Sequence, residues 1–394
     1  KPLKMIKCIG LKLLRCIRYK SMPKQITLLT LQTFSTTGGI QKMTRTLAHA
    51  LTDVAARNHW TFKLWSVYDK KSDVMPRYIP LEDFSGFNLR RRKFTVKALS
   101  LARTADVVIL SHVNMAMAGL AIKMLNPKCN VWLIAHGIEV WRPLSKVKRW
   151  FVSKCDKVIC VSNFTREEMI RRHHIDSHKC VVLNNAVDSF MIVPDSFIKP
   201  DYLLNRYKLS SKDIILFTLT RLAATEQYKG YEQVIKVIDK LKVSIPNIKY
   251  VLSGQYDHIE ETRIKNLIAQ HGVEDQVILT GFVNEAELPD HFLMADLFIL
   301  PSKKEGFGIV FIEALACGLP VICGNVDGSM DAIRNGELGK AVNPDDLDEL
   351  ENTLTSYLKQ PITADRRLEL QTQCLRYFNE DTYANKLEEL LLNA

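Results

Sequence analysis

The sequence contains no apolar run approaching the roughly 18 residues that a membrane-crossing helix needs, so no transmembrane segment is expected. It has no Cys-x-x-Cys pair, and its nine cysteines are an odd number. Several lie in apolar runs, as in Val158-Ile159-Cys160-Val161. They read as reduced core residues of a cytosolic protein, which excludes a disulfide framework or a zinc site. Internal repeats and low-complexity tracts are absent, which excludes a repeat architecture. Aromatic residues seldom interleave with the cations, so a nucleic-acid groove is not indicated. Acid is missing from the first twenty residues, which hold seven Lys/Arg.

What the chain does have is length for two domains, at 394 residues, and a charge split between them. Residues 1–195 carry 33 Lys/Arg against 13 Asp/Glu, and the remainder 21 against 30, consistent with the net charge of +11. A basic half joined to an acidic half implies that the first meets something anionic, such as a membrane surface or a phosphorylated lipid acceptor. In the opening segment Ile6, Ile9, Leu13, Leu14 and Ile17 share one helical face. That pattern suits either an amphipathic helix in a membrane interface or a basic leader. The runs Arg90-Arg91-Arg92-Lys93 and Lys146–Arg149 read as solvated faces or as further contacts to an anionic surface.

Short Val/Ile/Leu runs alternate with helical patterns throughout, which predicts parallel sheets covered by helices on both faces. In the first half the expected strands are Ile26–Leu31, Phe62–Val67, Val107–Ser111, Val131–Ala135, Val158–Val161 and Val181–Leu183. In the second they are Ile214–Leu219, Tyr250–Ser253, Val277–Thr280, Leu297–Leu300 and Val321–Cys323. The segment Phe190–Asp201, with two prolines and no clear period, separates the two sets. The expected organisation is a leader (1–21), a first Rossmann-like domain (22–195), a second (196–378) and a last helix (379–394) returning to the first. Two doubly wound domains of this kind place a ligand cleft at the carboxyl ends of their strands.

The densest signal is Ala295–Pro320, ADLFILPSKKEGFGIVFIEALACGLP. A buried strand breaks at Pro301, Gly306-Phe307-Gly308 follows, and a helix then carries Glu313. Glycines there let backbone approach a ligand, and a new helix directs unpaired N–H groups and its dipole at an anion. Glu305 and Glu313, on the loop and one turn into the helix, are acceptor-only groups that can hold hydroxyls on either side of a diphosphate. This segment resembles the retaining glycosyltransferases of family 4, whose Glu-x7-Glu signature it matches at nearly every position from Pro301 to Val321. The resemblance covers the second half well. In the first it is carried by Gly38-Gly39, His136 and Cys160-Val161-Ser162-Asn163-Phe164-Thr165.

The resemblance implies the GT-B fold, an α/β arrangement of two Rossmann-like domains facing a central cleft. It also implies site roles. Gly38 and Gly39, at the start of a helix expected over Gln41–Leu51, would lie against the donor's phosphate and sugar. His136, ending the strand VWLIA, would position the sugar. Arg221 and Lys229 would neutralise the diphosphate, with Gly306, Phe307, Gly308, Ile309 and Val310 around it. Glu305 would take the sugar hydroxyls and Glu313 the ribose. Gly254 and Val283 would border the base. The family pattern has glycine where this chain has Thr220, which leaves the path of the following loop open. Asp346-Leu347-Asp348 matches a metal-binding pattern by letter only, and reads as a solvated helix start. His173-His174 with His178 reads as surface.

The implied activity is retaining, metal-independent transfer of a hexose from a nucleotide diphosphate sugar to a lipid-linked or cell-surface saccharide. No cofactor is expected, and the expected location is cytoplasmic, peripheral on the inner face of the membrane. Two alternatives stay open. One is a sugar-nucleotide epimerase or hydrolase of the same fold, recognised by product without acceptor. The other is a non-catalytic protein that binds anionic membranes through the basic domain.

Overall fold

A computed structural model describes residues 23–360 and 362–394. The basic opening segment, residues 1–21, lies outside the described residues, as do Cys8 and Cys16. Two sheets follow one another along the chain. The first has seven strands: β1 (Gln25–Thr30), β2 (Thr61–Ser66), β3 (Phe84–Gly86), β4 (Val107–Leu110), β5 (Asn130–Ala135), β6 (Lys157–Cys160) and β7 (Cys180–Val182). Their order is β3-β2-β1-β4-β5-β6-β7, parallel throughout. The second sheet has six: β8 (Ile214–Leu219), β9 (Ile248–Ser253), β10 (Val277–Gly281), β11 (Leu297–Leu300), β12 (Val321–Gly324) and β13 (Lys340–Val342). These run β10-β9-β8-β11-β12-β13, again parallel.

Parallel sheets are covered on both faces, so their central strands must be apolar without alternation. β4 (VVIL), β11 (LFIL) and β12 (VICG) are buried at every position. The two strands that the pattern reading missed, β3 and β13, are three-residue edges with too little apolar sequence to register. Each sheet reverses its order once, between β1 and β4 and between β8 and β11, and those switch points open at the carboxyl ends of the strands.

The helix after β1 runs from Gly39 to Asn58, seven residues past the expected Leu51. Val54 and Ala55 carry its apolar face through Thr52-Asp53, and His59 ends it in the left-handed conformation. The helix Ala364–Phe378 packs on Ile309–Ala316 of the second domain, where Gln371 Nε2 donates to the Ala316 carbonyl at 2.9 Å. The chain then crosses over. Glu380–Leu392 lies along Gly39–Asn58 of the first domain, with His49 Nδ1 2.6 Å from Glu380 and Lys24 Nζ donating to the Leu391 carbonyl at 2.5 Å.

The seven described cysteines are free and buried. Among the described residues no helix is long and apolar enough to cross a membrane. Asp346 caps the helix Leu347–Leu358 by accepting from the amides of Asp348 and Glu349, which is a helix start in structure as in sequence.

Candidate active site

A cavity of about 280 Å³ lies between the two sheets at their carboxyl ends. Gly38, Gly39, Arg221, Lys229, Gly254, Val283, Glu305, Val310 and Glu313, all singled out from sequence, line it together. They are separated by up to 275 residues of chain and converge because every one follows a strand of the parallel sheets.

The second-domain wall is built locally. β11 ends at Leu300, and a loop carries Glu305 to the helix Ile309–Ala316. Gly308, at φ 81°, makes the turn into that helix, a conformation side-chain-bearing residues rarely adopt, and the Phe311 ring fills the space a Cβ would need. Lys229 reaches in from the loop after β8, with its Nζ 2.6 Å from Glu305 Oε1. Both side chains are largely buried. Burial alone depresses the Lys229 ammonium, and the adjoining Glu305 carboxylate outweighs it, leaving the pKa above the ordinary lysine value.

Asp327 holds the Glu305 loop from behind. Its Oδ2 accepts from the Glu305 amide at 2.7 Å and its Oδ1 from the Ser329 amide at 2.9 Å. Burial first, and the nearby Glu305 charge second, push its pKa up to about 7. The loop Asp327-Gly328-Ser329 therefore supports the site and does not line it.

The first-domain wall contains residues that the sequence reading did not select. Lys42, in the first turn of Gly39–Asn58, extends across the cleft to Glu313, Nζ to Oε1 2.7 Å. One turn on, the buried Arg45 grips Glu285 of the second domain, Nη2 to Oε1 2.8 Å and Nη1 to Oε2 3.2 Å. Thr37 also donates to Glu285. Burial disfavours the Glu285 charge, but the Thr37 and Arg45 hydrogen bonds hold its pKa below the usual carboxylate range. The local signal, two cations three residues apart directly after a Gly-Gly turn, is too weak to mark this face. Helical periodicity alone reads them as solvated.

Arg221 also lines the cavity, but its side chain is 68% exposed and pairs with Glu226 at 3.1 Å. Every carboxylate of the cavity wall is thus engaged by a cation: Glu226 by Arg221, Glu285 by Arg45, Glu305 by Lys229 and Glu313 by Lys42.

Five expected contributors are outside the cavity lining: Gly308 and Ile309, which form the turn into the helix, and three that sit differently. The Phe307 ring is buried, edge-on to Phe378 at 5.7 Å between centroids, and so faces the core instead of the cavity. Gly306 packs directly on the first domain, where a Cβ would fall 1.7 Å from the His136 carbonyl oxygen. Its own carbonyl accepts from Ser162 Oγ at 2.6 Å. His136 stands beside this contact, outside the cavity lining, with Nε2 3.0 Å from the Ser111 carbonyl oxygen. A carbonyl only accepts, so Nε2 carries the proton and Nδ1 is the bare nitrogen. Burial, aided by His112, pushes the His136 pKa down to about 4 against that hydrogen bond, which keeps the ring neutral near pH 7. Of the discounted histidines, His173 Nε2 lies 2.6 Å from the Val140 carbonyl oxygen and His178 lies beside Asp176.

Two parallel-sheet Rossmann-like domains closing on one cavity define the GT-B fold. It is shared with Anabaena HepE in complex with UDP and glucose (TM-score 0.74, 20% identity, 94% of this chain and 100% of that one). It is shared equally with sucrose-phosphate synthase from Thermosynechococcus elongatus (TM-score 0.73, 19% identity, 94% and 98%). A family model described as "Glycosyl transferases group 1" matches residues 204–373, and "Glycosyltransferase Family 4" matches 37–189, together well over half the chain. The chain belongs to the family 4-like glycosyltransferases.

Among curated relatives, a GDP-mannose-dependent alpha-(1-6)-phosphatidylinositol monomannoside mannosyltransferase of Mycolicibacterium smegmatis is 27% identical over 237 residues, covering 57% of this chain and 60% of that protein. O-antigen chain mannosyltransferase B of Escherichia coli is 27% identical over 217 residues, covering 55% and 54%. The matched stretches thus span little more than half the length of these relatives.

Proposed function

We propose that the chain transfers a hexose, with retention and without metal, from a nucleotide diphosphate sugar to a lipid-linked or cell-surface saccharide at the cytoplasmic face of a membrane. The observation that carries this reading is the pairing of all four cavity carboxylates with cations. A carboxylate held by a cation is a weaker nucleophile, which favours direct transfer over a covalent enzyme intermediate. The cations that neutralise these carboxylates are the ones a diphosphate leaving group needs.

In this reading the diphosphate enters at the amides opening Ile309–Ala316 and takes the Lys229 ammonium, whose raised pKa keeps it charged. The ribose hydroxyls replace Lys42 at Glu313, and the released ammonium turns to the phosphates. Glu305 holds the sugar hydroxyls. The acceptor hydroxyl attacks the anomeric carbon on the face from which the diphosphate leaves. The carbon–oxygen bond to phosphate breaks as the new one forms, and a phosphate oxygen takes the acceptor's proton. The neutral His136 contributes a hydrogen-bonding edge beside the sugar, not a charge.

The curated relatives named as mannosyltransferases make GDP-mannose the first donor to try, and the structural relative bound to UDP and glucose makes UDP-glucose the second. The test incubates each labelled donor with a membrane lipid extract in EDTA and follows label into the lipid phase. Transfer from one donor, with the anomeric configuration kept by NMR, is expected. Release of free sugar without acceptor supports the hydrolase reading instead, and strict magnesium dependence removes the metal-free one.

A further inference from the structure

Ser162-Asn163-Phe164-Thr165 follows β6 and opens the helix Asn163–His173. Ser162 caps that helix, its Oγ accepting from the Thr165 amide at 3.0 Å. An N-cap uses only a lone pair, so the hydroxyl proton is free for another partner. It goes to the other domain. Ser162 Oγ donates to the Gly306 carbonyl at 2.6 Å, and the Thr165 hydroxyl adds a longer contact to the same oxygen at 3.4 Å. Ser162 and Thr165 are both fully buried, so water does not compete for this bond.

Gly306 directly follows Glu305, the carboxylate paired with Lys229 at 2.6 Å. The second domain holds Glu305 at both of its peptide groups. The amide donates to Asp327 Oδ2 at 2.7 Å, and the carbonyl accepts from the Gly328 amide at 2.8 Å. The next carbonyl is held differently: among the described residues, Gly306 oxygen takes its donors from the first domain alone. Backbone crowds it from both sides. A Cβ on Gly306 would fall 1.7 Å from the His136 carbonyl oxygen, and one on Gly328 2.1 Å from the Gly306 oxygen. Asn163, the next residue of the same turn, grips a separate point of the second domain. Its amide and Nδ2 both donate to Asp331 Oδ1, at 3.0 and 2.7 Å.

We infer that Ser162 is a positioning residue for the transfer: from the opposite domain its hydroxyl fixes the Glu305–Gly306 backbone, so that Glu305 meets the donor sugar in register only while the two domains are docked. The inference rests on the assignment of Glu305 to the sugar hydroxyls. It gives a buried first-domain hydroxyl, and not only the long helix Gly39–Asn58, a hold on the second-domain wall.

Three variants test it. Ser162→Gly removes the donor at little cost to the cap, whereas Ser162→Thr keeps both functions of the hydroxyl. Asn163→Ala removes a crossing hydrogen bond that does not touch the Glu305 loop. Thermal unfolding confirms that each variant is folded. The first readout needs no ligand: amide hydrogen exchange over residues 302–308. Loss of one buried hydrogen bond is expected to speed exchange about tenfold in Ser162→Gly, with Ser162→Thr near wild type and Asn163→Ala within about twofold.

The second readout uses GDP-mannose and UDP-glucose. Ser162→Gly should lower kcat about tenfold and leave the affinity for GDP or UDP unchanged. In a Glu305→Gln background the same change should cost less than about twofold, because a residue that acts through another is not additive with it. Unchanged exchange in residues 302–308, or the full tenfold loss in the Glu305→Gln background, overturns the inference. Absence of transfer by the wild type from both donors overturns the proposed function instead, and the exchange comparison still decides whether Ser162 fixes the loop.

Discussion

The two walls of the cleft are built in different ways. The second-domain wall is continuous sequence: strand, Pro301, the Glu305 loop, Gly308 and the helix with Glu313 lie within twenty residues. Its ion pair, Lys229–Glu305, is internal to one domain. The first-domain wall is one face of a long helix, and its pairs, Lys42–Glu313 and Arg45–Glu285, cross the cleft. An internal pair holds a charge ready at a fixed place, whereas a crossing pair also holds the two domains together. In the proposed reading the fixed charge for the diphosphate comes from the second domain, and the first domain adds a cation that is released from a contact across the cleft.

The largest expected effect follows from the internal pair. Lys229→Ala removes a preorganised cation from the leaving group and should lower turnover by about two to three orders of magnitude. Near-normal turnover would place the diphosphate elsewhere.

Next comes the division between the two glutamates. Glu313→Ala loses a charged hydrogen bond to the ribose, about 1.5–3 kcal/mol, and should weaken free nucleotide ten- to hundredfold by calorimetry. Glu305→Ala should leave that affinity unchanged and impair only use of the sugar. Parallel behaviour of the two variants would erase the distinction.

The crossing pair predicts a smaller change. Lys42 must leave Glu313 before it meets the phosphates, so its gain is partly offset. Lys42→Ala should weaken nucleotide diphosphates by about fivefold and leave the parent nucleoside unaffected, since a charged contact is worth about 1.5–3 kcal/mol before that offset. An effect as large as that of Lys229→Ala would contradict the contrast between the walls.

Smallest is a pH effect behind the second-domain wall. The folded-state pKa of Asp327, about 7, lies above that of the unfolded chain, near 4. Between these values the folded protein binds the extra proton, so the stability that Asp327 contributes is present at low pH and is lost as pH rises through about 7. Relative to Asp327→Asn, the wild type should therefore lose unfolding temperature between about pH 5 and 8. A flat difference across that range would remove the proton from this carboxylate.

The same contrast explains what the sequence disclosed. Central strands are apolar because both their faces are covered, so β1, β4, β5, β8 and β11 stand out from composition alone. The edges β3 and β13 carry too few apolar residues to do so. Glu305, Gly308 and Glu313 are legible because they follow one another through a single strand–loop–helix junction, and Lys229 because it closes the loop after another strand end. Lys42, Arg45 and Glu285 are not, because their partners lie 271 and 240 residues away and their own spacing is that of any helix face. Phe307 shows the converse error: it sits within a recognisable motif, yet its ring serves the core against Phe378.

The central claim is that the paired charges of the cleft are set for a nucleotide diphosphate that needs no metal. Thermal unfolding with GDP, UDP and ADP in EDTA tests it most directly. One nucleotide, at a hundred times its dissociation constant, should raise stability by about 2.7 kcal/mol, and Glu313→Ala should reduce that rise. No rise with any of the three, or a rise only when magnesium is restored, would contradict it.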